Sequence, residues 1–257
     1  MTRLRFLGTG WSHGVPTLGC DCPVCTEALP RNRRLRASIL LSDTSHTVVI
    51  DVGPDFREQA LRANIQQLDA VFVTHQHSDH TMGLDDLRRF TWARKEPLPV
   101  WADPDTRDRL KVVYPYAAAS RRPGQAVPLV EFNSWTQPVT IGTMRFTSFP
   151  VPHGNLPCYG VRIDTPEGKI GYVPDCSDLP PEAMDHLRDL DIMILNAMRD
   201  TPHPSHLSFD QSRDCLKAIA SKRSFFTHMG CSLNYHRLQP TLPDGLEMAW
   251  DGMEVEL

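Results

Sequence analysis

The sequence predicts an α/β fold in which two sheets pack together with helices outside, all in one domain over residues 1–257. Two observations carry this. Short apolar, β-branched runs and amphipathic helical stretches come mixed in two halves, each starting with strands and acquiring helices later. No repeat or low-complexity linker divides the chain, and 257 residues are ample for one large core.

In order, strand-like runs fall at Arg3–Leu7, Ser38–Leu41, His46–Asp51 and Ala70–Thr74, each ending in or near turn-forming residues. Pro54–Asn64 reads as a helix with Phe56, Ala60 and Leu61 on one face, and Gly83–Trp92 is a second candidate. Asp103-Pro104 opens a third, with Asp at the cap and Pro at the first helical position. Val127–Phe132, Met144–Phe149, Cys158–Ile163 and Lys169–Val173 predict a strand-rich middle. Pro180-Pro181 starts a helix to about Leu187, Asp191–Leu195 is a strand, Ser208 caps a helix to about Ala220, and Ser224–Thr227 is a strand. Glu247–Trp250 and Met253–Leu257 are expected to pair as a terminal hairpin around Asp251-Gly252.

Bulk properties exclude some functions. The chain is 40% hydrophobic and 23% charged with net charge -4, and its pI is about 6.2. A general nucleic-acid binder needs a broad basic face, so no stable nucleic-acid complex is expected. The N-terminal residues lack the apolar core of a signal peptide and no apolar run suggests a membrane span, so no membrane partner and a cytoplasmic location are expected. Seven cysteines without an export signal favour thiolate–metal bonds over disulfides.

The most informative residues are His75-Gln-His77-Ser-Asp79-His80, which follow the apolar run Ala70–Thr74. Imidazole nitrogen and carboxylate oxygen suit Zn²⁺, Mn²⁺ or Fe, and this H-x-H-x-D-H loop concentrates four such groups at a strand exit. Three further strand exits offer ligands: His153 after Met144–Phe149, Asp175 after Lys169–Val173, and His228 after Phe225-Phe226-Thr227. Open sheets place functional groups at such strand ends. A second cluster, Cys20-Asp-Cys22-Pro-Val-Cys25, puts three thiols within six residues and argues for zinc within a loop at about 19–36. Cys231 is the first choice for its fourth ligand, with His13 and His236 as alternatives. Its lack of an open coordination place reads as structural. Cys158, Cys176 and Cys215 read as small buried hydrophobes. The basic run Arg31–Arg36 is either solvated surface or a phosphate contact.

With these residues in view, the chain resembles the metallo-β-lactamase superfamily. The 75–80 loop, His153, Asp175 and His228 match that family's binuclear ligand set in chain order. The resemblance implies a four-layer αβ/βα sandwich with the site along one edge. It implies that His75, His77 and His153 hold one divalent metal (Mn²⁺ or Zn²⁺), that Asp79, His80 and His228 hold a second, and that Asp175 bridges them. Asp51 matches the family's buried strand-end aspartate and would orient a ligand histidine; a plain turn aspartate is the alternative. Asp79 would also hold the attacking hydroxide. In His203-Pro-Ser-His206-Leu-Ser208, His206 is the expected general acid and His203 its competitor.

Arg5–Gly10, Gly14-Val-Pro16, the cysteine cluster with its structural Zn²⁺, and Trp250-Asp-Gly-Met253 are similar to one branch, that of the cyclic phosphodiesterase accessory to the carbon–phosphorus lyase pathway. That similarity implies hydrolysis of small cyclic phosphodiesters or nucleotides, and relatives suggest a homodimer. Cys231 departs from relatives that use histidine, and the pocket-forming stretch Trp92–Trp135 matches nothing assignable. Alternatives are a tRNA 3′-processing endonuclease, for which no basic or glycine-rich arm is evident, a thioester or lactone hydrolase, a mononuclear iron oxygenase, and a non-enzymatic zinc-stapled binding module.

Overall fold

The computed structural model describes residues 1–27, 29–117 and 126–257. Residue 28 of the cysteine loop and residues 118–125 of the Trp92–Trp135 stretch lie outside the described residues. The first half runs β1 (Arg3–Gly8), α1 (Pro23–Thr26), β2 (Ser38–Ser42), β3 (Thr47–Ile50), α2 (Phe56–Arg62), β4 (Ala70–Phe72), α3 (Ser78–Thr81), α4 (Arg88–Thr91), β5 (Leu98–Ala102), α5 (Pro104–Val113) and β6 (Val130–Ser134). The second runs β7 (Val139–Ile141), β8 (Met144–Val151), β9 (Cys158–Asp164), β10 (Lys169–Val173), α6 (Pro181–His186), β11 (Ile192–Asn196), α7 (Phe209–Ile219), β12 (Arg223–Thr227), α8 (Tyr235–Leu238), β13 (Leu246–Met248) and β14 (Glu254–Glu256).

Among the described residues the strands form two seven-stranded sheets, ordered β14-β1-β2-β3-β4-β5-β6 and β13-β12-β11-β10-β9-β8-β7. Each sheet is antiparallel at one end and parallel at the other: β3 to β6 run parallel in the first, β10 to β13 in the second. The central parallel strands β4 and β11 are buried on both faces, which is why they read as unbroken apolar runs rather than alternating ones. Inner-face residues, including Leu4, Phe6, Ile39, Phe72, Phe146, Ile163, Ile194 and Phe225, form the core between the sheets. Phe72 of β4 stacks on Phe146 of β8 with centroids 4.4 Å apart, and this contact joins the sheets. Two further apolar clusters lie between each sheet and its outer helices, which completes the expected four-layer sandwich.

Local chemistry sets the helix starts. Asp103 accepts from the backbone of Asp105 and Thr106 at the start of α5, and Ser208 with Gln211 forms a capping box on α7. The Gly83–Trp92 stretch begins as a 3₁₀ turn at Leu84–Leu87 before becoming α4. β5, β7 and α8 are not evident in the sequence pattern, because Pro99 interrupts β5 and the other two span three or four residues.

The expected terminal hairpin does not form. β13 pairs parallel with β12, whereas β14 pairs antiparallel with β1, so the two segments lie in different sheets. Each finds more apolar burial there than a two-stranded ribbon offers: Leu246 and Met248 fill the outer core of the second sheet, and Val255 fills the inter-sheet core. The Asp251 carboxylate pins the crossing by accepting from Thr9 Oγ1 at 2.8 Å and from the Leu35 backbone at 2.6 Å.

Candidate metal centre

β3, β4, β8, β10 and β12 deliver Asp51, His75, His153, Asp175 and His228 just beyond their C-terminal ends. In each sheet these strands run in a common direction, since β8 and β10 are both antiparallel to β9. Contacts between Gly10 and Met229 and between His75 and Cys158 link the two halves at this edge. Gly53 lets the 75–80 loop lie against the β3 exit, because a side chain there would collide with the Asp79 carbonyl.

The seven expected ligands come together. Donor atoms of His75, His77 and His153 lie within 4.8 Å of one another, as do those of Asp79, His80 and His228. His75 Nε2 is 2.9 Å and His153 Nε2 3.2 Å from His77 Nδ1. Asp175 lies between the sets: a carboxylate oxygen groups within 4.8 Å with donor atoms of His75 from the first and His80 from the second, while Oδ2 is 3.0 Å from His80 Nε2 and Oδ1 is 3.2 Å from His228 Nε2. Yet His80 Nε2 and Asp175 Oδ2, both buried, have no hydrogen-bond partner. Two buried polar atoms 3.0 Å apart are thus left without a bond that would offset their burial. That arrangement fits a cation, and the donor set suits Zn²⁺ or Mn²⁺.

Neighbouring groups fix the rings. His80 Nδ1 lies 2.8 Å from Asp51 Oδ2, so it donates there and leaves Nε2 as the free lone pair. Asp51 is itself held by the Thr74 backbone N–H at 2.8 Å and the Thr74 hydroxyl. His153 Nδ1 donates to the Ser205 carbonyl at 2.8 Å. Burial keeps His75 well below its usual pKa and lowers His153 to about 4, so both remain neutral donors at neutral pH. Burial alone would raise Asp79 and Asp175. The adjoining histidines outweigh it and hold both far below the carboxylate range. Burial opposes a proton on His80, but Asp79, Asp51 and Asp175 surround it and raise it well above its usual value. Without a cation, this cluster therefore keeps a proton where a metal would otherwise supply the charge.

His206 sits beside this centre. Its Nε2 is 2.8 Å from Asp175 Oδ1, and its ring stacks on His228 at 5.2 Å. Its Nδ1 lies 3.0 Å from Ser205 Oγ, which also lies 3.1 Å from His203 Nδ1. His203 is thus one residue further from the ligands than His206. A cavity of about 270 Å³ is lined by Ser12, His77, Ser78, Asp79, Asp175, His206 and His228. A larger groove of about 400 Å³ between α2 and α4 is remote from these ligands and lined partly by Phe56, Leu61 and Phe90.

Cys20, Cys22, Cys25 and Cys231 bring their sulfurs within 4.8 Å of one another, with Cys20 and Cys231 at 4.0 Å. A tetrahedron of thiolates at ~2.3 Å from zinc separates sulfurs by about 3.8 Å. Burial, together with the neighbouring thiols, pushes Cys231 up to about 12, so the four cannot all ionise without a cation. Neither alternative ligand, His13 or His236, belongs to the group. Three arginines of the basic run are engaged within the protein. Arg34 is buried and donates to the Gly230 and Leu233 carbonyls, Arg31 stacks over Tyr235 and Trp250, and Arg36 pairs with Asp55.

Sequence reasoning missed several contributors. Thr74 and Ser205 hold Asp51 and His153, and only the strand-Thr-His pattern before His75 hints at the first. Buried Cys158 donates to the Asp175 carbonyl, and Cys176 to Asn196 Oδ1, so these thiols position the bridging loop as well as fill space; Cys215 is only partly buried. Among the described residues, no helix is long and apolar enough to cross a membrane.

Residues 46–229 match the family model described as a beta-lactamase superfamily domain. The crystal structure of a diphosphatase from the PhnP family superposes with a TM-score of 0.91 at 37% identity, covering 100% of this chain and 98% of that one. Zn²⁺-bound PqqB from Methylobacterium extorquens shares the fold, with a TM-score of 0.80 at 20% identity over 99% of this chain and 100% of that one. An octanoyltransferase of Porphyromonas gingivalis is 33% identical over 262 residues, 98% of this chain; the chain spans 51% of that relative's length. With the ligand geometry described above, these matches place the chain in the metallo-β-lactamase superfamily.

Proposed function

We propose that the protein is a binuclear metal-dependent phosphodiesterase acting on small cyclic phosphodiesters or nucleotides. The observation that carries the reading is Asp175, whose carboxylate lies within 4.8 Å of His75 and of His80, one from each proposed metal position, with His206 Nε2 at 2.8 Å beside the cavity. The 37% identity to a PhnP-family diphosphatase over the whole chain supports phosphorus chemistry rather than thioester or lactone hydrolysis.

His75, His77 and His153 would hold one cation, Asp79, His80 and His228 the other, and Asp175 both. Bound there, Zn²⁺ or Mn²⁺ would supply a hydroxide nucleophile at neutral pH and offset charge developing at phosphorus. Asp79 lines the cavity and turns Oδ2 towards His80 and His228, at 3.2 and 3.5 Å. Its other oxygen can accept a hydrogen bond from the attacking water and orient it. His206, which lines the cavity with Nε2 2.8 Å from Asp175 Oδ1, protonates the departing oxygen. Ser205 holds His206 Nδ1 and so limits rotation of the ring. The cysteine cluster would hold one structural Zn²⁺ and tie the N-terminal loop to the segment after His228.

The test is a substrate panel run after metal exchange: bis-p-nitrophenyl phosphate, 2′,3′-cyclic nucleotides, ribosyl cyclic phosphate, pre-tRNA, a thioester and a lactone. Metal-dependent turnover of cyclic phosphodiesters is expected. One iron per chain with oxygen uptake, or turnover confined to the thioester or lactone, would overturn the reading.

A further inference from the structure

We propose that Ser12 is a substrate-binding residue whose hydroxyl donates a hydrogen bond to a non-bridging phosphoryl oxygen; this rests on the phosphodiesterase reading. Five of the seven residues lining the 270 Å³ cavity are metal-ligand candidates or His206. The other two, Ser12 and Ser78, supply its neutral hydroxyls, and neither hydroxyl has a hydrogen-bond partner among the described residues. Ser78 lies between His77 and Asp79, so its position follows from theirs. Ser12 comes from a separate segment, the loop leaving β1, and something else must hold it at the cavity.

The structure holds it from both sides although the residue is exposed. On the N-terminal side, the Trp11 backbone donates to the Met229 carbonyl at 3.3 Å, and Met229 donates to the Thr9 carbonyl at 2.8 Å. This ties the loop to the residue after the ligand His228. The Trp11 indole donates to the Gly14 carbonyl at 3.0 Å, and its ring packs on Gly230, where any side chain would press on it and on the Met198 carbonyl. On the other side, Arg36 Nε donates to the Ser12 carbonyl at 2.9 Å, and Asp55 fixes that guanidinium through Nη1 at 2.9 Å. A loop held at these points presents an unpaired donor to a cavity otherwise lined by the proposed metal ligands, His206 and Ser78. A phosphodiester anion supplies the matching acceptor, and a prepositioned donor loses little entropy on binding it.

The experiment compares wild type with Ser12→Ala and Ser12→Thr, all metal-loaded. It reads metal content, melting temperature, kcat and KM on bis-p-nitrophenyl phosphate and a 2′,3′-cyclic nucleotide, and calorimetric affinity for inorganic phosphate. Ser12→Ala is expected to keep metal content and melting temperature while KM and the phosphate dissociation constant rise roughly tenfold. The change in kcat should be smaller, and Ser12→Thr should restore most of the loss. Unchanged KM and phosphate affinity in Ser12→Ala would overturn the assignment, as would loss of metal, which would make Ser12 part of the scaffold. If the wild type turns over no phosphodiester, the functional reading fails, and the phosphate measurement still decides whether Ser12 binds phosphoryl oxygen.

Discussion

Replacing Asp51 by Asn tests how the second metal position is prepared. Asp51 is fully buried; Oδ2 faces His80 Nδ1 and Oδ1 accepts from the Thr74 backbone, both at 2.8 Å. Asparagine has nearly the same shape and tolerates the positive φ of 65° at this residue. Its carbonyl can still accept from Thr74, which turns its amide, a donor, towards His80. His80 Nδ1 must then become the acceptor, and the ring proton moves to Nε2, the atom 3.2 Å from Asp79 and 3.0 Å from Asp175. Loss of such an outer partner costs about 10–100-fold in metal affinity, or about 1.4–2.7 kcal/mol. The Asp79–His80–His228 position should therefore empty first when Asp51→Asn is dialysed against a graded chelator. Mass-spectrometric metal counting should show that step while the cysteine-site zinc stays in place. The metal-free melting temperature should also fall, since the protonated His80 of the metal-free cluster loses the buried Asp51 carboxylate that pairs with it. A variant that retained both metals at wild-type chelator resistance would refute the claim that Asp51 sets the His80 tautomer.

Three further outcomes are expected. His206→Ala should retain both metals yet lose about 10²–10⁴-fold in turnover of cyclic nucleotides. The loss should be much smaller for bis-p-nitrophenyl phosphate, whose leaving group needs no proton; equal losses on both substrates would remove His206 as the acid. Cys22→Ala should lower zinc content and melting temperature, and full zinc with an unchanged melt would rule Cys22 out as a ligand. Burial raises the Asp251 carboxyl to about 7, so the folded chain keeps a proton there that the unfolded chain releases near pH 4. The stability this group contributes is present below about pH 4 and is lost as pH rises through about 7. Asp251→Asn should therefore be more costly relative to wild type at pH 4.5 than at pH 8. Thermal melts at the two pH values check this, and a pH-independent difference would contradict it.

Much of the candidate site was legible because its chemistry is local. Within residues 75–80, four donor groups occupy one strand exit, and Cys20, Cys22 and Cys25 are equally close in sequence. His153, Asp175 and His228 were legible more weakly, as single polar residues just beyond short apolar runs. The terminal segments misled because apolar alternation around Asp251-Gly252 shows that two strands exist but not which edge each will join. The Arg31–Arg36 run misled in another way: charge density reads as surface, yet Arg34 is enclosed by carbonyls that fold over it from residues 230 and 233.

The sequence by itself determined the strand and helix alternation, the ligand types and their order along the chain, because periodicity and side-chain chemistry act over a few residues. Tertiary structure decided what distance in sequence hides. Two antiparallel-to-parallel sheets align the ends of β4, β8, β10 and β12 at one edge and set Asp175 within 4.8 Å of both His75 and His80. The same packing gives β13 and β14 to opposite sheets, where each buries apolar surface that a lone hairpin would leave in water. It also brings Ser12 to the candidate metal ligands, since the bonds that hold its loop come from Met229 and Arg36, which no local pattern connects to it.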